Sequence, residues 1–230
     1  MRSFSSTRGS RLTLSLLLVL QLCSCVSATK QNKANACRNN LGSAINNFCV
    51  VTPTVLWRGS RPDEDGVAWL IQHGVQTIVN LELIFDDKPV LGQAIIANTN
   101  NYEVGYFHIH DWEPLPILAP SIEDDHVAHF IAIVKQQPKP LYLHCRHGVN
   151  RTGVMVAAYR ILIDGASDEE AIGEMARYDG FFFTADAQYI RGLTPKRRAE
   201  IQLKVMEWMP KLEKDAQVIC AEGRCTVSHF

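Results

Sequence analysis

The segment that most narrows what this chain can fold into is His144-Cys145-Arg146-His147-Gly148-Val149-Asn150-Arg151-Thr152-Gly153. Before it runs Pro140-Leu141-Tyr142-Leu143, short, apolar and strand-like. After it, Val154 to Leu162 reads as a buried helix. A strand, a tight loop and a helix in that order direct successive backbone N–H groups and the helix N-terminus at one point. A dianionic phosphate suits that point, and so does a thiolate.

Each residue type in the segment has a chemical reason to be there. Cys145 stands at the mouth of the loop, where a helix N-terminus and a nearby cation favour a thiolate, which predicts a nucleophile toward phosphorus. Arg151 closes the loop with a planar fork suited to two equatorial phosphoryl oxygens. Gly148 permits a turn that a side chain would obstruct. Arg146, His147, Gly148, Val149, Asn150 and Arg151 together form the expected phosphate cradle. Thr152 places a hydroxyl near the sulfur, and His144 is expected to steady the cysteine. Among seven cysteines a lone Cys-x5-Arg pair would mean little. His before the Cys, Gly three after it, Thr-Gly after the Arg and strand-then-helix flanks make the signal specific.

This pattern resembles the His-Cys-x5-Arg-Thr-Gly signature of cysteine-based protein tyrosine phosphatases, in their compact dual-specificity branch. Upstream, Leu56-Trp57-Arg58-Gly59-Ser60-Arg61-Pro62 and Ala68 to Leu81 are similar to the opening of bacterial, fungal and plant members. The likeness covers about residues 55–193 and is nearest to bacterial periplasmic tyrosine phosphatases. It implies a central mixed sheet flanked by helices, no metal and no cofactor. The substrates it implies are phosphotyrosine, phosphoserine/threonine and, in some branches, phosphoinositides or inositol phosphates. It also implies a general acid on a loop upstream of the cysteine. Asp111, 34 positions before Cys145 at the end of an expected strand, is the first choice, and Glu113 the second. Ser121-Ile122-Glu123-Asp124 reads instead as a helix start with acidic residues in its first turn, a structural role.

The N-terminus points to export. Arg2, Arg8 and Arg11 precede an apolar run, Leu12 to Leu22, too short to span a membrane comfortably. Three outcomes stay open: cleavage after Ala28, a lipoprotein-type site with Cys25 lipidated, or an uncleaved anchor. The expected organisation is a leader at 1–28, an Asn-rich extension at 29–50, the phosphatase domain at 51–212 and a tail at 213–230. Beyond the leader, Cys37, Cys49, Cys220 and Cys225 remain beside Cys145. In an oxidising compartment these four should pair, in any of three connectivities, and leave Cys145 free. Membrane contact is expected only if Cys25 carries lipid.

Without the leader arginines the formal charge falls from −1 to −4, so no basic field points to nucleic acid. The expected partner is a phosphorylated protein or small phosphorylated substrate. The spacing predicts strands near 54–58, 76–83, 102–109 and 141–144. It predicts helices near 64–73, 90–98, 121–136, from 152, 168–177 and 195–209, and this alternation argues α/β layers. Arg146 and His147 read either as solvent-facing or as floor charges for a highly anionic substrate. Phe181-Phe182-Phe183 reads as core, and Lys196-Arg197-Arg198 as a solvated helix face. Two further classes remain: a phosphate-binding module without catalysis, and a redox enzyme using Cys145.

Overall fold

A computed structural model describes residues 41–97, 100–178 and 180–228. The expected leader with its two processing sites, at Ala28 and Cys25, lies outside the described residues, as do Cys37 and most of the 29–50 extension.

Seven strands form one mixed sheet: β1 (Cys49–Thr52), β2 (Leu56–Ser60), β3 (Thr77–Asn80), β4 (Tyr102–His108), β5 (Leu141–Cys145), β6 (Ala216–Ala221) and β7 (Arg224–Ser228). Their order is β1-β2-β5-β3-β4-β6-β7. The middle four, β2-β5-β3-β4, are parallel, while β1, β6 and β7 pair antiparallel at the edges. The described helices are α1 (Glu64–Gln72), α2 (Lys88–Gln93), α3 (Leu115–Leu118), α4 (Pro120–Gln136), α5 (Asn150–Leu162), α6 (Asp168–Met175), α7 (Phe183–Arg191) and α8 (Pro195–Trp208).

Strand periodicity divides the core in two, because alternate side chains face opposite sides of the sheet. Trp57, Ile78, Tyr106 and Tyr142 pack with Val67, Leu70 and Ile71 of α1 and Leu91 of α2 on one face. Leu56, Val79, Phe107 and Leu143 pack on the other face against buried residues of α4, α5, α6, α7 and α8. Both faces of the parallel strands are therefore covered, and most of the polar residues they bury, Arg58, Ser60, Asn80, His108 and His144, fall toward the strands' C-terminal ends. Local chemistry sets the helix ends. Asp63 caps α1 by accepting from Gly66 N at 2.8 Å, and Ser167 and Glu170 form a reciprocal capping box on α6.

Four sequence readings change. The segment at 213–230, expected as a tail, supplies β6 and β7, and β6 pairs with β4. Cys220 and Cys225 are disulfide-bonded across that hairpin, which excludes both crossed connectivities. Cys49, read as extension, is fully buried in β1. Phe181 is 92% exposed and Phe182 half-buried, so of the triple phenylalanine only Phe183 packs against the core.

Candidate active site

β5 lies at the centre of the parallel strands with Cys145 as its last residue, opposite Ser60 of β2. Cys145 is a free thiol and is buried. The chain then turns through Arg146 to Val149 and enters α5 at Asn150. Gly148 makes the turn at φ +67°, and a Cβ there would collide with the backbone of Gly59 and Ser60. Glycine is required both by the dihedral and by the contact.

The loop's carbonyls are tied from outside. Arg58, fully buried in β2, donates from Nη2 to Gly148 O at 2.5 Å, and its guanidinium lies 3.8 Å from the Tyr178 ring centroid. Asn47 Nδ2 donates to His147 O at 2.9 Å, and Arg61 N to Arg146 O at 3.4 Å. Carbonyls held outward leave the intervening N–H groups to the loop's interior, the arrangement of an anion nest. Val149, at the N-cap of α5, brings no capping side chain, so the first-turn amides are left to the loop.

Arg151 rises from that first turn. Its Nη1 donates to Leu81 O at 3.1 Å and to Asp111 O at 3.3 Å. Its Nε is buried without a partner among the described residues. One corner of the guanidinium is thus anchored, and the Nε edge is unspent for an anion. His144 Nε2 lies 2.6 Å from Asp87 Oδ2, and both side chains are fully buried. Asp87 in turn donates its backbone N–H to Tyr106 Oη at 3.1 Å. The ring of His144 is thus tied to Asp87, and its Nδ1 makes no hydrogen bond to the loop among the described residues. Thr152 is fully buried beside the loop.

Asp111 follows β4 and is 1% exposed. Its carboxylate turns toward α4, where His126 Nδ1 stands 3.5 Å from Oδ1. Glu123, also 1% exposed, shares this spot, and burial first and the charge of Asp111 second hold its carboxyl well above the ordinary range. Asp186 of α7 is pushed up to about 7, mainly by burial, then by Glu113 and Asp111. Glu113 itself is half-buried. Asp124 does have a structural role, since Tyr189 Oη donates to it at 2.7 Å and Arg197 at 2.8 and 2.9 Å. Glu123 does lie in the first turn of the helix, but its side chain is buried beside Asp111, and a signal for that lay in the spacing Glu123, Val127, Phe130, which puts it on the buried stripe of α4. Arg58 and Asp87 carried no local signal, because what defines them is a contact made 90 and 57 positions along the chain.

Arg146 and His147 are exposed and border a cavity of about 470 Å³, also lined by Asn46, Asn47, Ser60 and Arg61. Arg61 is partly neutralised, with Nε 3.4 Å from Glu82 and its guanidinium 3.7 Å from the Phe85 ring centroid. The run Lys196-Arg197-Arg198 is not simply a solvated face: Arg197 pairs with Asp124, and Arg198 pairs with Asp168 and donates to Leu193 O at 2.5 Å.

Residues 41–192 match the family model described as a DSP-PTPase phosphatase fused to NAD+ kinase. The dual specificity protein phosphatase TpbA of Pseudomonas aeruginosa is 31% identical over 155 residues, 64% of this chain and 62% of that protein. The match thus spans less than two thirds of that relative's length. The crystal structure of P. aeruginosa TpbA superposes with a TM-score of 0.52 at 26% identity, over 70% of this chain and 91% of that one. The catalytic core of the PP-IP phosphatase SIW14 from S. cerevisiae gives 0.51 at 19% identity, over 73% and 98%, a likeness of fold.

Proposed function

This chain belongs to the dual-specificity branch of the cysteine-based protein tyrosine phosphatases, and from that premise we propose that it is an exported phosphomonoesterase working through a phosphocysteine. One observation carries the reading. A free cysteine opens a loop whose carbonyls are tied outward, and the arginine closing it keeps its Nε edge unspent.

Cys145 Sγ attacks phosphorus while the bond to the leaving oxygen breaks, and Asp111 gives that oxygen a proton. Arg151 and the loop amides hold the equatorial oxygens as charge spreads onto them. Water, deprotonated by the Asp111 carboxylate, then cleaves the phosphorus–sulfur bond, which frees phosphate and returns the thiolate. Asp111 must swing from α4 to the loop for this, and its own carbonyl already touches Arg151. The relative's description as a dual specificity protein phosphatase supports phosphotyrosine and phosphoserine/threonine as substrates. The Cys220–Cys225 disulfide supports an oxidising compartment, reached by cleavage after Ala28 or with Cys25 lipidated.

A second substrate class, inositol phosphates, is favoured by the cavity that Arg61, Arg146 and His147 share beside the loop. Hydrolysis of a small aryl phosphate by wild type, Cys145→Ser, Asp111→Asn and Glu113→Gln tests the chemistry. Activity surviving in Cys145→Ser sinks the phosphocysteine. A harmless Asp111→Asn beside a crippled Glu113→Gln transfers the acid to Glu113. Wild-type inactivity with retained phosphate affinity makes the chain a binding module. A panel of phosphopeptides and inositol phosphates then decides the substrate.

A further inference from the structure

Asp111, Glu123 and His126 bring two carboxylate oxygens and a ring nitrogen within 4.8 Å of one another. Apart from each other, the carboxyl groups of Asp111 and Glu123 have no hydrogen-bond partner among the described residues, although both side chains are 1% exposed. His126 Nδ1 approaches Asp111 Oδ1 at 3.5 Å and has no hydrogen-bond partner among the described residues. Asp186, 2% exposed, adds a third buried carboxylate close enough to be shifted by Asp111. Of the nearby arginines, Arg197 is paired with Asp124, and Arg151 spends Nη1 on the carbonyls of Leu81 and Asp111, with its Nε edge left to the phosphate loop. Carboxylates buried in this way need a compensating cation or protons.

The grouping of three ligand atoms within 4.8 Å gives a cation a place to bind, in competition with the proton on Glu123. Two carboxylates and an imidazole suit zinc, whereas the imidazole argues against calcium or magnesium, which take oxygen ligands. Glu123 and His126 are three residues apart on one side of α4, a rigid half-site, and Asp111 closes it from the loop. Zinc–ligand bonds of roughly 2.0–2.2 Å need ligand atoms somewhat nearer than the widest separation here, a closure within reach of side-chain rotation.

We propose that Asp111, Glu123 and His126 form a divalent-cation site of the zinc class, and that a cation held there keeps the Asp111 carboxylate on α4 and so inhibits hydrolysis. The inhibition rests on Asp111 being the general acid, whereas the site itself does not. The test is calorimetric titration of Cys145→Ser protein, which lacks the competing thiol, with Zn²⁺ alone at neutral pH. One saturable site is expected, weakened at least ~tenfold in Glu123→Gln and in His126→Ala on that background. No saturable binding, or unchanged affinity in both variants, overturns the site and leaves the carboxylates to protons. If Glu123→Gln fails to fold, His126→Ala, at a side chain 19% exposed, decides alone. In protein with Cys145 intact, Zn²⁺ is expected to inhibit aryl phosphate hydrolysis near the measured Kd, and His126→Ala to relieve it. Binding that leaves hydrolysis untouched overturns the inhibition and, with it, Asp111 as the acid, while the site stands.

Discussion

At Gly148 the backbone sits at φ +67°, and a methyl group there would run into the main chain of Gly59 and Ser60. The left-handed conformation alone costs a side chain about 1–2 kcal/mol, and the collision must also push the loop away from β2. Gly148→Ala is therefore expected to lower the denaturant midpoint and to abolish measurable phosphate binding; near-wild-type binding would contradict the loop geometry. Arg58 acts one step further back, as a positioning residue. Arg58→Met leaves Gly148 O without its donor, a loss of about 1–3 kcal/mol for a buried acceptor. A raised KM for an aryl phosphate is expected, with partial rescue in Arg58→Lys, whose ammonium still donates. A stability loss without any change in KM would reduce Arg58 to packing. These residues also show what the sequence could disclose. Cys145, Arg151 and Gly148 lie within one loop, so spacing exposed them. Arg58, Asp87 and Glu123 reach the site from other elements, and only the fold brings them there.

Elements were legible in proportion to how local their signals are. β5 and α5 stood out because an apolar strand, a glycine turn and a small-residue helix follow one another without interruption. β6 and β7 did not, since they are short and their pairing depends on β4, more than a hundred positions away for β6. α7 was hidden because the exposed Phe181 and half-buried Phe182 precede it where a cap would be expected. The contacts among α4, α7 and α8 were equally unreadable. Asp124 of α4 accepts from Tyr189 of α7 and from both Nε and Nη2 of Arg197 of α8, a bidentate pair with one side chain each from three helices. Arg197→Met removes the cation and strands a carboxylate that is 13% exposed. A loss of about 3 kcal/mol is expected, at the low end for breaking a buried pair. Urea unfolding checks it, and the double variant Arg197→Met with Asp124→Leu should recover much of the loss. No recovery would mean that the helices depend on something other than this pair.

For the molecule as a whole, stability is held at two places outside the phosphate loop. The Cys220–Cys225 bridge, with a sequence separation of 5, sits where β6 meets Tyr102 at the start of β4, whereas the Asp111 loop leaves the other end of that strand. Replacing both cysteines by serine is expected to cost about 2 kcal/mol, the chain-entropy value for so short a loop, with aryl phosphate turnover unchanged. The second place is His129 of α4, whose ring stacks on Trp208 with centroids 4.0 Å apart. Burial, and then the charge of His126, lower its pKa to about 4, against the opposing pull of Asp215 and Asp125. The folded value lies below the unfolded value of 6.5, so the native chain binds fewer protons than the unfolded chain between the two. The stabilisation is complete above pH 6.5 and is lost as pH falls toward 4, by about 2 kcal/mol after allowing for partial exposure. Burial depresses His108 in the same direction, so the full slope belongs to both rings. Thermal melts between pH 7 and pH 4 should therefore fall less steeply for His129→Gln than for wild type. Parallel slopes would mean that His129 takes up its proton in the native state, and that the stack on Trp208 leaves the ring as wet as it is in the unfolded chain.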